Sequence, residues 1–154
     1  RVLKPAGLLI LEVPNTENLV VGTSSFYLDP THKRPLPSAL LSFLASHLGF
    51  ERVKVLGLQE SPNLTDRDTP VSLFAVLTGV SPDYAVIAQK NADTPEMSSF
   101  DEVFDRKYGL TLEDLAFRYQ KQMDDYIRTA ELNHLRLEKI LKFINPLKWI
   151  KGSD

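Results

Sequence analysis

The sequence predicts an α/β domain over residues 1–90, followed by a long α-helix that ends near residue 144. Three observations carry this prediction. Residues 8–11 form a continuous apolar run that indicates a buried strand. Segments with helical hydrophobic spacing and segments with alternating spacing then follow one another as far as residue 89. An uninterrupted heptad pattern begins at residue 112. Strands that alternate with helices are typical of domains in which helices cover a sheet.

The first strand is predicted at residues 8–13, where Pro14 and Asn15 end the apolar run. Its lack of alternation favours a strand buried on both faces, as in a parallel sheet. Residues 15–37 show little periodicity and are predicted to form a long loop. Loops of more than about 12 to 15 residues are uncommon in compact domains unless they are functional or disordered, so this loop is a candidate site.

A helix is predicted at residues 37–48, because leucines recur there at helical spacing and Gly49 follows. Residues 51–59 alternate and predict a strand, whereas residues 61–69 predict a loop. Residues 71–77 fit a strand or a helix by periodicity, and Gly79 after them favours a short helix. The last strand is predicted at residues 84–89.

Beyond residue 90 the polar, proline-containing residues 91–98 predict a linker between domains. Ser99 and Glu102 have the spacing of a capping box, which predicts a short helix to Tyr108. Thr111 is expected to cap the long helix of a helical oligomerisation region at residues 99–144. Residues 145–154 would then form a basic amphipathic tail or a linker toward a further domain.

The long helix carries a seam of residues spaced alternately four and three apart. Its ten positions are Leu112, Ala116, Tyr119, Met123, Tyr126, Ala130, Asn133, Leu137, Ile140 and Ile144. At 1.5 Å per residue the helix would be roughly 50 Å long, too long to pack fully on so small a core. We therefore expect homo-oligomerisation through a coiled coil at residues 112–144. The alternative is a single amphipathic helix folded back over the sheet.

Composition excludes several classes of function. The net charge of -2 gives no general attraction for nucleic acid, and the absence of cysteine excludes disulfides and thiolate metal sites. The three histidines, His32, His47 and His134, form no pair with metal-ligand spacing, so no metal is expected. No stretch approaches twenty apolar residues, so we expect a cytoplasmic protein, with the basic tail in peripheral contact with the inner face of the membrane.

Three segments together resemble the C-terminal half of a class I S-adenosylmethionine-dependent methyltransferase of the type found in bacterial polysaccharide (O-antigen) biosynthesis. They are "LKPAG" at residues 3–7, "YLDPTHKRPLP" at residues 27–37 and "GVSPDYAVIA" at residues 79–88. Ala6 stands where that family's "LKPGG" motif has a glycine. The resemblance implies a Rossmann-like sheet of which this chain holds the last three strands, with the final strand inserted in reverse beside the first.

The resemblance also implies that this chain, which begins at Arg1 without a methionine, is part of a longer parent protein. That family holds S-adenosylmethionine with a glycine-rich turn after the first strand of the whole domain and an acidic residue after the second. The seven glycines of this chain never cluster. We therefore expect the cofactor to bind the parent protein and not this chain alone.

In such a methyltransferase the loop after the first strand of this chain would face the methyl acceptor, here a glycan, and a glycosyltransferase would be a partner. His32 is then the candidate general base, oriented by Asp29. The candidate substrate-binding residues are Glu12, Asn15, Tyr27, Thr31 and Arg34.

The same residues allow a purely structural interpretation. Asp29, Pro30 and Thr31 favour a turn without any substrate, and a histidine beside them can bond to the backbone. Tyr27 can be a lid or core aromatic, and Arg34 can be a solvated cation. The corresponding alternative for the whole chain is a noncatalytic scaffold or interaction module built on the coiled coil.

Overall fold

The computed structural model of the protein describes residues 2–144. Within that range the strands are β1 (Leu8–Pro14), β2 (Phe50–Leu58) and β3 (Asp83–Lys90). The helices are α1 (Leu19–Thr23), α2 (Ser38–His47), α3 (Pro62–Thr65), α4 (Leu73–Thr78), α5 (Thr94–Ser98), α6 (Asp101–Asp105) and α7 (Leu112–Ile144), and a 3-10 turn spans Ser25–Leu28. The α/β class and the long final helix are confirmed.

The sheet has the order β1-β3-β2, and β3 is antiparallel to both neighbours. Leu11 of β1 and Val55 of β2 both lie opposite Val86, which sits at the middle of β3. Strands β1 and β2 therefore run in the same direction, and their carboxyl ends lie at one edge of the sheet. The expected reversed insertion of the last strand beside the first is confirmed.

The prediction that the first strand is buried on both faces is wrong for the described residues. Strand β1 pairs only with β3, none of its seven residues is buried, and Ile10 is 60% exposed. The buried strand is β3, in which residues 84–89 are all buried. An apolar run shows that a strand can be buried, but its place in the sheet decides whether it is.

Two apolar clusters hold the elements together. Helix α2 packs on the sheet through Ala45, which contacts Tyr84, Val86 and Ala88 of β3. The second cluster joins α4 to the first turns of α7, and it consists of Val71, Val76, Val80 and the fully buried Leu115, with Ala75, Leu110 and Tyr119 packed against it. The start of α7 is therefore part of the α/β unit.

Several loop predictions need correction. The long loop contains α1 and the 3-10 turn, the loop at residues 61–69 contains α3, and the predicted linker contains α5. The Ser99 hydroxyl donates to the Glu96 carbonyl, and α6 begins at Asp101 without a side-chain cap. The predicted capping box is therefore wrong, because Ser99 is already bonded to the preceding helix, and α6 ends at Asp105 instead of Tyr108.

Helix α7 begins as expected, with the Asp114 amide donating to the Thr111 hydroxyl at 3.1 Å. Tyr119 of the predicted seam packs against the cluster around Leu115, so the domain itself covers part of the seam. Residues 124–144 are all exposed, and the helix does not fold back over the sheet in the described structure. The coiled coil stays a prediction, and the predicted tail at residues 145–154 lies outside the described residues.

Candidate functional site

The loop between β1 and α2 begins at the edge of the sheet where β1 and β2 end. Asn15 is buried there, and its amide nitrogen donates to the Ser81 carbonyl at 2.9 Å. Its side-chain oxygen accepts the Glu17 amide at 3.1 Å, and its backbone amide donates to the Pro82 carbonyl at 2.7 Å. Both side-chain atoms of this predicted substrate-binding residue are thus engaged within the protein.

Asn18 is a second anchor, which the sequence reasoning missed. Its side chain is the N-cap of α1, accepting the amides of Val20 and Val21, and its amide nitrogen donates to the carbonyls of Thr78 and Val80 at 3.0 and 2.7 Å. The N-cap signal was present, because an asparagine directly before an apolar run is a preferred helix start.

Tyr84 holds the other end of the loop. Its buried hydroxyl donates to the Leu36 carbonyl at 2.6 Å. Burial raises the pKa of Tyr84, and the nearby Glu17 carboxylate raises it further. The tyrosine therefore remains a hydrogen-bond donor at neutral pH and fixes the segment just before α2.

His32 and Phe26 pair in the middle of the loop. The Phe26 ring is 3% exposed, and the imidazole stacks on it with centroids 4.7 Å apart. His32 Nδ1 lies 2.9 Å from the Phe26 carbonyl oxygen. Because a carbonyl can only accept, this nitrogen carries the proton, and the neutral ring presents a bare Nε2.

Asp29 lies beside Nε2, not beside Nδ1. One of its oxygens accepts the hydroxyl and the amide of Thr31 at 2.7 and 2.8 Å, and the other is 3.6 Å from His32 Nε2. The Thr31 hydroxyl and amide, with a smaller contribution from His32, hold the pKa of Asp29 below its usual value. The imidazole is oriented by the hydrogen bond that Nδ1–H donates to the Phe26 carbonyl, and not by Asp29.

The remaining predicted site residues are Tyr27, Arg34 and Glu12. Tyr27 is 63% exposed and meets Phe26 edge-on at 5.3 Å, and Arg34 is exposed. Glu12 is exposed on β1 and, after burial, contributes to the raised pKa of Asp83. Among residues 2–144 no hydrogen bond, ion pair or ring contact joins Glu12 or Arg34 to His32. The roles predicted for these residues stay predictions.

A cleft of about 330 Å³ opens at the same edge of the sheet. It lies between the start of the loop, the first turn of α2 and the segment that leads into α7. Its lining includes Glu17, Ser38, Val55, Tyr84, Tyr108 and Leu110.

No group of three or more metal-ligating side chains occurs in residues 2–144. No glycine-rich turn follows any of the three strands, since β1 continues into Pro14 and Asn15 and Gly22 lies inside α1. The described residues therefore lack the glycine-rich turn with which the resembled family holds S-adenosylmethionine. None of the helices in this range combines the length and hydrophobicity needed to cross a bilayer.

The chain is similar to an S-adenosylmethionine-dependent methyltransferase from Archaeoglobus fulgidus whose crystal structure is known. The two share 32% identity, with a TM-score of 0.45. The match covers 56% of this chain and 46% of that chain, so this chain spans about half the length of that protein. No protein-family model matches the chain, and no curated protein matches it significantly.

Proposed function

We propose that this chain is the C-terminal, acceptor-side part of an S-adenosylmethionine-dependent methyltransferase that acts on a bacterial surface polysaccharide or related glycan. The observation that carries the proposal is the sheet, in which β3 runs in reverse between β1 and β2, as the sequence resemblance requires. The ordered loop then leaves the carboxyl end of β1, the end at which α/β sheets place their ligands.

In this proposal the chain supplies the acceptor side and the proton chemistry. When bound to the parent protein, S-adenosylmethionine supplies an electrophilic methyl group. His32 Nε2 takes the proton from the acceptor hydroxyl, while Nδ1 stays bonded to Phe26. The Asp29 carboxylate, 3.6 Å from Nε2, stabilises the charge that the ring then carries. In this proposal residues outside this chain hold the cofactor, as the family resemblance implies for a chain without the glycine-rich turn.

The first test compares two His32 variants in the parent protein. Asn at position 32 keeps a donor for the Phe26 carbonyl but has no atom that can act as the base. We expect His32→Asn to lower the rate of glycan methylation by about 10²- to 10⁴-fold with S-adenosylmethionine affinity unchanged, and His47→Asn to leave the rate unchanged. Methylation at the parental rate in His32→Asn would remove the base assignment.

The second test is a calorimetric titration of S-adenosylmethionine into the parent protein and into this chain. We expect binding to the parent only. Absence of binding to both would overturn the methyltransferase proposal and favour a noncatalytic scaffold.

Homo-oligomerisation through α7 is part of the proposal. Its support is the set of apolar side chains that residues 124–144 expose, among them Tyr126 (70%), Leu137 (59%) and Ile144 (70%). Ending the chain after Met123 keeps Leu115, which the fold needs, and removes this surface. We expect the shortened chain to be monomeric by light scattering and the full chain to be larger; equal sizes would remove the oligomerisation claim and with it the scaffold.

A glycosyltransferase partner and contact of the basic tail with the inner face of the membrane complete the proposal. The first follows from a glycan acceptor, since the enzyme that extends the glycan must hand it over. The second depends on residues 145–154, which lie outside the described range.

A further inference from the structure

The cleft at the strand ends is lined by residues at both ends of the loop that carries His32. Tyr84 lines the cleft and donates its hydroxyl hydrogen to Leu36, and Ser38, two residues further along, lines the cleft at the start of α2. Asn15 and Glu17, at the start of the loop, line it as well. Both ends of the loop therefore meet the cleft, which lies where an α/β sheet places ligands.

The charged side chains of the cleft differ in how far they are engaged within the protein. Lys54 Nζ donates to the Phe104 carbonyl, and Lys107 Nζ is paired with Asp114 at 2.8 Å. The Glu17 carboxylate, by contrast, is exposed and has no hydrogen-bond or ion-pair partner in residues 2–144. Because each ammonium already donates to a protein oxygen and the Glu17 carboxylate accepts no bond from the described residues, the carboxylate is the unengaged group that the cleft offers, and it suits a ligand that donates hydrogen bonds.

The rest of the lining combines hydroxyl groups with apolar surface. Ser38 and Tyr84 contribute hydroxyls, Tyr108 contributes an aromatic ring, and Val55 and Leu110 contribute aliphatic surface. A carboxylate accepts hydrogen bonds from adjacent hydroxyls of a ligand. Aromatic and aliphatic side chains pack against C–H groups. A ligand that matches both is a ring with hydroxyls at its rim and C–H groups on its faces.

We propose that this cleft binds one neutral pyranose unit of a glycan, with Glu17 accepting its hydroxyls and Tyr108 packing on the ring. A volume of about 330 Å³ is at the lower end of ligand pockets, which suits a single ring better than a longer oligosaccharide. The inference takes its ligand class, a glycan, from the proposed function, but it does not depend on methyl transfer.

The experiment is a titration of the full chain, without S-adenosylmethionine, observed by ¹H–¹⁵N NMR. The probes are the methyl α-pyranosides of glucose, mannose and galactose. Sorbitol, which has hydroxyls but no ring, and cyclohexanol, which has a ring with one hydroxyl, are the controls. We expect saturable shifts at the cleft residues with at least one pyranoside, at a Kd of roughly 1 to 10 mM, and none with either control.

Variants connect the shifts to the cleft. We expect Tyr108→Ala and Glu17→Gln each to weaken binding by about tenfold. Phe117→Ala and Glu113→Gln remove an aromatic ring and a carboxylate at exposed sites on α7 and should bind as the unsubstituted chain does. Glu17 is exposed, so its variant keeps the test valid if Tyr108→Ala fails to fold.

Absence of cleft shifts with all three pyranosides, or equal shifts with sorbitol or cyclohexanol, would overturn the inference. Loss of sugar binding together with methylation that still depends on His32 would remove the pyranose site and leave the proposed function standing. Sugar binding in a parent protein that binds no S-adenosylmethionine would leave the pyranose site standing and remove the proposed function.

Discussion

His32 is stacked on the ring of Phe26 and bonded to the carbonyl oxygen of the same residue, at 4.7 Å between centroids and 2.9 Å between Nδ1 and O. The two residues bracket the turn that Asp29 and Thr31 form. The loop is thus held in the middle by the contacts between His32 and Phe26, and at its ends by the hydrogen bonds of Asn15, Asn18 and Tyr84. A fixed Nε2 is what a general base requires, and a purely structural histidine needs only the Phe26 contacts.

Two variants of His32 should differ in stability. His32→Ala removes the stacking and the hydrogen bond and leaves the Phe26 ring uncovered, so we expect a loss of about 1 to 2 kcal/mol in the free energy of unfolding by urea. His32→Asn keeps a donor near Phe26 and should lose less. His47, stacked on exposed Phe43, is the control, and His47→Ala should cost less than about 0.5 kcal/mol. Equal losses at the two sites would contradict the anchoring role of His32.

Asp83 should lower stability at neutral pH. Burial, and then the Glu12 carboxylate, raise the pKa of Asp83 above its usual 3.8. Its ionised form is thus disfavoured in the folded state, and stability falls as the pH rises from 3.8 through the folded pKa. We expect Asp83→Asn to have a higher melting temperature than the unsubstituted chain at pH 7 and the same melting temperature near pH 3. A less stable variant at pH 7 would refute this.

Asp29 should show the opposite sign. The Thr31 hydroxyl and amide lower its pKa below 3.8, so its charge stabilises the folded loop above that pH and ceases to do so as the pH falls through the folded pKa. Asp29→Asn keeps an oxygen for Thr31 and removes only the charge. We expect Asp29→Asn to have a lower melting temperature than the unsubstituted chain at pH 7. The difference should disappear below pH 3.8 when melting temperatures are measured across the same pH range.

Gly109 should tolerate no side chain. Its φ is +80°, and an added Cβ would lie 2.4 Å from the Cα atom of Gly57 on β2. Gly49 has a similar φ of +89° but open space around it, so it isolates the backbone term. We expect Gly49→Ala to cost about 1 kcal/mol and Gly109→Ala at least about 1 to 3 kcal/mol more, measured by urea unfolding. Equal losses of unfolding free energy in the two variants would mean that the segment before α7 does not contact β2 in solution.

Arg118 of α7 should hold the segment around α3. Its guanidinium donates to the carbonyls of Leu64, Asp66 and Thr69 at 2.7, 2.8 and 2.9 Å. We expect Arg118→Met to cost about 1 to 3 kcal/mol and to speed amide hydrogen exchange at residues 63–69, and Arg118→Lys to restore little, because an ammonium lacks the planar fork. Arg128→Met, at an exposed position of the same helix, is the control. Unchanged exchange in Arg118→Met would refute the role.

The candidate site was predictable only in part. The turn chemistry of Asp29 and Thr31 follows from their sequence spacing, and the structure contains that turn. The burial of Asn15 was not predictable, because its partners Ser81 and Pro82 lie more than sixty residues away. Local sequence reports hydrogen bonds between neighbours, whereas bonds across the fold appear only once the strands are paired.

The sequence by itself located the longer elements, but not the short helices α1, α3 and α5. Hydrophobic spacing located α2, β2, β3 and α7, because amphipathic periods of 3.6 and 2 are properties of neighbouring residues. Tertiary structure decided which of these elements are buried. The apolar run of β1 predicted that β1 would be buried on both faces. In the structure the buried strand is β3, because it lies at the centre of the sheet. Leu115, which lies off the heptad seam, anchors α7, because α4 and its cluster lie on that side of the helix.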